Sequence, residues 1–203
     1  MALQVRDAGR RELSELAGVL ASAFQDTQQW RWLLPDDAAR AKVLPAFFRP
    51  LLKHALHRGN IAVAADQESV QGVAVWLTYP HVSVPKWRSL ELFPTMLAAL
   101  DRTQLRQFGD RGRAIDRAAT AAHPTFPHRY LAALAVSPQA QGRGVGGALV
   151  HGGASHTAYL ECEEPLVSYY SRFGFTEYVR IEPGGGVPVQ IGMMRRDPTE
   201  PPH

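Results

Sequence analysis

A single cysteine, Cys162, stands in a chain of 203 residues. No internal disulfide can form, which suits a reducing compartment. Lysine is nearly missing as well: Lys42, Lys53 and Lys86 are the only ones. The other basic residues are scattered arginines with no block of five, so the clustered patch of a nucleic-acid binder is not expected. No run of 18 apolar residues occurs, which excludes a transmembrane helix. The start, Met1 to Asp7, lacks the apolar core of a signal peptide. These absences predict a cytoplasmic protein with no membrane or nucleic-acid partner. No spacing of His, Cys and carboxylates suggests a metal site. His151 and His156 lie five apart and flank Gly152-Gly153, which is poor geometry for one helix face.

The composition that remains is ordinary. Hydrophobic residues are 45%, charged residues 20%, and the formal charge is +3. Neither low hydrophobicity nor a large net charge points to disorder. The length fits one domain over residues 1–203, with a frayed tail from about residue 197. A mildly basic surface would help to attract a polyanionic ligand.

Periodicity orders the elements. Leu3 to Arg6 is expected as a short strand, with Asp7 capping the next helix. Leu13, Leu16, Ala17, Leu20 and Phe24 form one buried helical stripe. Gln25 to Pro35 is expected as a loop holding Trp30 and Trp32. A second helix carries Leu44, Phe47, Phe48, Leu51, Leu52, Ala55 and Leu56, with Pro45 and Pro50 starting or kinking it, and Gly59-Asn60 ending it. Ile61–Ala65 and Val70–Tyr79 read as strands joined by a turn at Asp66-Gln67-Glu68-Ser69. After the loop opened by Pro80 and Pro85, a third helical region runs from Phe93 toward Ala119. Tyr130–Val136 reads as a strand buried on both faces. A glycine-rich loop and a helix to Val150 follow. Then come a strand Tyr159–Cys162, a helix Pro165–Phe173, and strands Phe175–Ile181 and Val187–Met194. The sum is an α/β chain with a mixed sheet and no dividing linker.

The chemistry concentrates in Gln141-Gly142-Arg143-Gly144-Val145-Gly146-Gly147. Glycines allow a tight turn and close approach of a ligand to the backbone. A helix starting there aims unpaired N–H groups and a positive dipole end at one spot, which favours a phosphate. Arg143 could add a charged contact. A P-loop is excluded because no lysine follows the glycines. Gly142, Gly144 and Gly147 fit a dinucleotide fingerprint, with Glu161 and Glu163 near the acidic position. However, the loop comes too late in the chain for the usual run of βαβ units. A glycine-rich helix start with no ligand also fits these six residues alone.

Two motifs in order narrow the choice. Gln141-x-x-Gly144-x-Gly146 after Leu134-Ala135-Val136-Ser137-Pro138 resembles the acetyl-CoA signature of GNAT-type N-acetyltransferases. Tyr169-Tyr170-Ser171-Arg172-Phe173-Gly174-Phe175 resembles the tyrosine segment of the same superfamily. Gly72-Val73-Ala74-Val75-Trp76 with Tyr79-Pro80, and His128-Arg129-Tyr130-Leu131, resemble the puromycin N-acetyltransferase-like branch.

The resemblance implies a GNAT-like α/β (α+β) fold with a mostly antiparallel sheet of six to seven strands flanked by helices. It also implies acetyl transfer from acetyl-CoA to a primary amine of a small molecule, by direct attack in a ternary complex. In that reading Gln141, Gly142, Arg143, Gly144, Val145, Gly146 and Gly147 hold the pyrophosphate. Leu134, Ala135 and Val136 pair with the pantetheine arm. An N–H of Ala135 or Val136 polarises the carbonyl.

Tyr170 matches the tyrosine that protonates the leaving thiolate, with Tyr169 as the neighbour it could be confused with. The general base stays open. The central strand carries no carboxylate, so His128, just before it, and Glu161, at the end of the next strand, are the choices. His81, His123 and Trp30 are further residues for the acceptor pocket. Cys162 is read as a buried thiol rather than a nucleophile. The helix after the loop is short, and no Asn precedes the tyrosine segment. A degenerate domain that binds acyl-CoA or a protein partner without catalysis is therefore the alternative. The chain is expected to act as a monomer or homodimer.

Overall fold

The computed structural model describes residues 4–66, 69–153 and 156–197. Leu3, Gln67, Glu68 and the tail beyond Asp197, all named above, lie wholly or partly outside them. Among the described residues seven strands form one sheet: β1 (Gln4–Asp7), β2 (Gly59–Ala65), β3 (Val70–Thr78), β4 (Arg129–Val136), β5 (Ala158–Cys162), β6 (Thr176–Ile181) and β7 (Gln190–Arg195). Their order is β1-β2-β3-β4-β5-β7-β6, and only β4 and β5 run parallel. The mixed, mostly antiparallel sheet is the one expected.

Among the described residues eight α-helices flank it: α1 (Leu13–Phe24), α2 (Gln28–Leu33), α3 (Asp37–Arg58), α4 (Lys86–Ser89), α5 (Phe93–Ala99), α6 (Arg102–Ala122), α7 (Val145–Gly153) and α8 (Val167–Ser171). They make two cores. On one face, α1, α3 and α6 pack on Val63, Val73, Val75, Ala133 and Ala135. On the other, α7 and α8 pack on Ala64, Ala74, Trp76 and Leu131.

Several boundaries differ from the sequence expectation, each for a physical reason. Asp7 belongs to β1 and caps nothing. The turn before α1 is closed by Glu12, whose Oε2 accepts the Gly9 N–H at 2.8 Å. The expected loop 25–35 contains α2, whose Trp30 N–H donates to Thr27 Oγ1 at 3.4 Å. α3 starts well before Pro45, because Asp36 Oδ1 accepts the Ala39 N–H at 2.7 Å. Each interior proline costs a helix about 3 kcal/mol. Val43, Leu44, Phe48 and Leu52 are buried on this helix, and each such side chain contributes about 1.5–3 kcal/mol on burial. Packing therefore holds the helix through both prolines. The third helical region, from Phe93 toward Ala119, is two helices, α5 and α6. The chain is extended at Leu100, and Asp101 and Gln104 cap each other's backbone to start α6.

Arg40 fixes the connection between α1 and α3. It is fully buried, donating to the carbonyls of Gln25 at 2.6 Å, Leu34 at 2.7 Å and Pro35 at 3.1 Å, and to Asp37 at 2.5 Å. A buried guanidinium is tolerated only when its donors are matched in this way.

Candidate active site

The site begins with an irregularity in β4. Val75 pairs with Ala133 but Trp76 pairs with Leu131, so Ala132 is an extra residue. Such a bulge bends the strand and re-aims its side chains. Leu131 therefore lies in the α7 core, while Ala133 and Ala135 lie in the α1 and α3 core. β4 and β5 pair over three positions only, Arg129 with Ala158, Tyr130 with Tyr159 and Leu131 with Leu160. Beyond Leu131 the two strands part.

Residues 132–136 thus keep an edge that β5 does not use. The Ser137 N–H donates to Gln71 C=O on the β3 side at 2.8 Å. Strand alternation then turns the backbone of Ala135 toward β3 and that of Leu134 and Val136 toward the gap. The Val136 carbonyl accepts from Gln141 Nε2 at 3.5 Å. Of the two amides considered for polarising a carbonyl, Val136 is the one that faces the gap.

The glycine loop closes one end of the gap. Gly142 and Gly144 have φ of +76° and +80°, a region that favours glycine. They turn the chain into α7, where the Ala148 N–H bonds to Gly144 C=O at 3.0 Å. The N–H groups of Val145, Gly146 and Gly147 precede that first bond and have no partner within the helix. A Cβ on Gly146 would lie 2.2 Å from the Tyr169 hydroxyl, so Tyr169 lies directly over the helix start. Arg143 is exposed and does not line the cleft. Arg172 does, stacked 5.0 Å over the Tyr169 ring. Sequence reading missed Arg172, although it lies one turn after Tyr169.

A cleft of about 2140 Å³ runs from this loop through the strand gap to the α1, α3 and α6 face. Tyr170 lines it, almost buried and edge-on to Phe175 at 6.2 Å. Burial, with the neighbouring Cys162 and Tyr169, pushes its hydroxyl well above the ordinary tyrosine range. That hydroxyl makes no hydrogen bond among the described residues. The two tyrosines are therefore separated: Tyr169 guards the helix start and Tyr170 sits beside the end of β5. Cys162 Sγ lies 3.7 Å from Met193 Sδ. Burial and Glu163 push its thiol up to about 12, so it is no nucleophile near neutral pH.

On the opposite wall the structure joins three residues that sequence reading kept apart. His128 Nδ1 lies 2.7 Å from Phe126 C=O, which can only accept, so Nδ1 carries the proton. His128 Nε2 then accepts from His123 Nε2 at 3.0 Å. Neutral His123 is left with a bare Nδ1, 3.7 Å from Glu161 Oε1. The Tyr159 hydroxyl donates to the same carboxylate oxygen at 3.3 Å. His123 and Glu161 line the cleft and His128 does not. Burial lowers the His128 pKa, its bond to Phe126 opposes that, and His123 adds to the lowering. His81 lies outside the cleft, within 2.9 Å of His54 through its carbonyl.

Among the described residues no group of three or more His, Cys, Asp or Glu side chains could hold a metal ion, and no helix is long and apolar enough to cross a membrane.

No family model matches the chain. Solved structures do. The protein described as histone acetyltransferase HPA2 and related acetyltransferase from Corynebacterium glutamicum is 27% identical, with a TM-score of 0.67 over 98% of this chain and 100% of that one. An N-acetyltransferase from Staphylococcus aureus is 15% identical, with a TM-score of 0.55 over 94% and 99%. The NatC complex bound to Gag peptide and CoA supplies a match at 13% identity and a TM-score of 0.52, over 97% and 99%. With these likenesses and its strand order, the chain has the fold of the GNAT acetyltransferases, the superfamily that its glycine loop and tyrosine segment resemble.

Proposed function

We propose that this chain transfers an acetyl group from acetyl-CoA to a primary amine of a small molecule, by direct attack in a ternary complex in the cytoplasm. One observation carries the reading. The unpaired edge of β4 leads straight to a free helix N-terminus, with a histidine–carboxylate pair on one side of the gap and a protonated tyrosine on the other. These residues fit the coenzyme. Val145, Gly146 and Gly147 offer N–H groups, and Arg172 offers a charge, to the pyrophosphate. Leu134 and Val136 offer a strand edge to the pantetheine amides.

When bound, acetyl-CoA supplies an acyl group activated as a thioester. The Val136 N–H polarises its carbonyl. His123 Nδ1 takes the proton of the ammonium form, which frees the nitrogen lone pair for attack, and the Glu161 carboxylate stabilises the resulting imidazolium; the second N–H proton, released as the nitrogen bonds to the acyl carbon, replaces the one that Tyr170 gives up. His128 holds the His123 ring in the tautomer that leaves Nδ1 bare. Tyr170 donates its proton to the sulfur as the carbon–sulfur bond breaks.

Thermal unfolding with saturating acetyl-CoA tests the first half, with NAD and ATP as controls. A ligand at 100 times its Kd stabilises by about 2.7 kcal/mol, a rise of roughly 5–10 °C for this size. Free-thiol release with an amine panel tests the second half. A folded protein with no shift and no thiol release would overturn the reading.

A further inference from the structure

The acceptor side of the cleft has a composition unlike the rest of the molecule. Its wall includes Phe24, Trp30, Phe47, Phe48, Leu51 and Ile115. Trp30 meets Phe47 edge to face at 4.7 Å, and Phe47 still leaves 38% of its surface open. The open aromatic surface therefore faces the cleft and not the core. α1 contributes small residues there, Gly18, Ser22 and Ala23, and β4 contributes Ala133 and Ala135. These small residues leave width for a bulky group.

The charges run against the whole chain. Net charge is +3, yet the lysine, arginine and carboxylate side chains lining the cleft are Glu15, Asp26, Asp116, Glu161, Glu163 and a single Arg172. Arg172 lies at the cofactor end, over Tyr169. Asp26 is paired with Arg31 at 2.9 Å. Glu163 accepts the Gln29 N–H at 3.2 Å. Glu15, which also lies in the field of Arg6, and Asp116 are the remaining carboxylates, and neither makes a hydrogen bond among the described residues. Gly112, Ile115, Asp116, Ala119 and Thr120 form one stripe of α6 along the cleft, and His123, the residue at the C-terminal cap of the helix, follows on from it. Asp116 therefore stands on the face that ends at His123, about 10 Å away by helix rise.

We propose that the acceptor is a cationic amine with a bulky aromatic or branched apolar body and no acidic group, its ammonium drawn in by Glu15 and Asp116 and its body packed on Phe47 and Trp30. The proposal rests on the acetyl transfer put forward above and adds the substrate class. Carboxylates lining an apolar cleft concentrate a cation and repel an anion. Apolar area removed from water supplies discrimination by size.

Calorimetry on the full chain without acetyl-CoA tests this apart from catalysis, with 2-phenylethylamine, ethylamine and phenylalanine as probes. The expected order is 2-phenylethylamine well above both others. Burying one phenyl ring corresponds to a preference of about 30-fold or more over ethylamine. In thiol-release assays the same order is expected in kcat/KM. Phe47→Ala should reduce the phenylethylamine-to-ethylamine ratio several-fold, through KM. Asp116→Asn combined with Glu15→Gln should raise KM for 2-phenylethylamine and shrink the discrimination against phenylalanine. Equal binding of ethylamine and 2-phenylethylamine, a preference for phenylalanine, or far better acetylation of a peptide N-terminus would overturn the proposal. Loss of the acetyl-CoA thermal shift would instead strike the transfer reading, because the amine calorimetry stands without it.

Discussion

Replacing Tyr170 by Phe removes one oxygen from the cleft and leaves the ring in place. The ring keeps its contact with Phe175. The hydroxyl bonds to no described residue, so folding should lose no more than about 0.5 kcal/mol, a change in Tm of roughly 2 °C or less. The effect on the reaction should be much larger. Burial raises the Tyr170 pKa, so the group is protonated throughout the working pH range and can act only as a donor. A positioned general acid is worth about 10²–10⁴ in rate, which is about 2.7–5.4 kcal/mol of barrier. The assay is free-thiol release under saturating acetyl-CoA and the best amine of the panel, with the acetyl-CoA thermal shift as a check on binding. Tyr170→Phe should lower kcat by at least 100-fold and keep the thermal shift. Tyr169→Phe, whose hydroxyl rests on the α7 start, should weaken the shift more than kcat. If Tyr170→Phe keeps kcat within about three-fold of the parent, the assignment of the acid is wrong.

Other outcomes follow from the same geometry. His123→Ala should cost more in kcat than His128→Ala, since only His123 opens on the cleft, and Glu161→Gln should fall between them; a larger loss at His128 would reverse the proposed roles. Arg172→Ala should weaken acetyl-CoA binding by about ten-fold, as for one charge-assisted contact, while Arg143→Ala should leave Kd nearly unchanged; calorimetry separates the two. His128 has its folded pKa below the ordinary histidine value of 6.5. The unfolded chain therefore takes up the proton first as pH falls. The stability due to this group is full above about pH 6.5 and declines below it, at no more than about 1.4 kcal/mol per pH unit, until the folded form is protonated. Chemical denaturation of the parent and of His128→Gln at pH 7.5 and pH 5.5 should show a steeper loss in the parent; equal losses would refute the shift.

Much of the fold is legible because its signals are local. The stripe Leu13, Leu16, Ala17, Leu20 and Phe24 needs only helical spacing, and Leu16, Ala17 and Leu20 are indeed buried. The loop from Gln141 to Gly147 announces itself through glycines whose positive φ the structure requires at two places. What was not legible depends on partners far along the chain. Proline weighed against a long helix at 37–58, and only the packing of Val43, Leu44, Phe48 and Leu52 offsets it. His128 and Glu161 could be named as bases, but nothing local showed that His123 stands between them. Its signal was present, faintly, as the cap residue just after the α6 stripe through Ile115, Asp116, Ala119 and Thr120. Arg143 attracted attention for being inside the motif. Arg172 lines the cleft over the Tyr169 ring, while Arg143 is exposed and does not line it, a difference in placement that composition does not carry.

The site exists because the sheet is interrupted. A regular sheet would bond every backbone group of β4 and leave no room between β4 and β5, and an open strand edge is ordinarily a liability. Here the opening is bounded. It starts after Leu131, beside the bulged residue Ala132, and it ends where Ser137 returns to Gln71. Within it, the two sides of the sheet contribute different chemistry. The α6 side brings His123, whose ring is held edge-on by Tyr130 and Tyr159, both at 4.9 Å. The α8 side brings Tyr170, held by Phe175. The sheet would separate this imidazole from this phenol everywhere except through the gap. A group seated in that gap would meet an imidazole from one face and a phenol from the other, the pairing on which the proposed acyl transfer from sulfur to nitrogen rests.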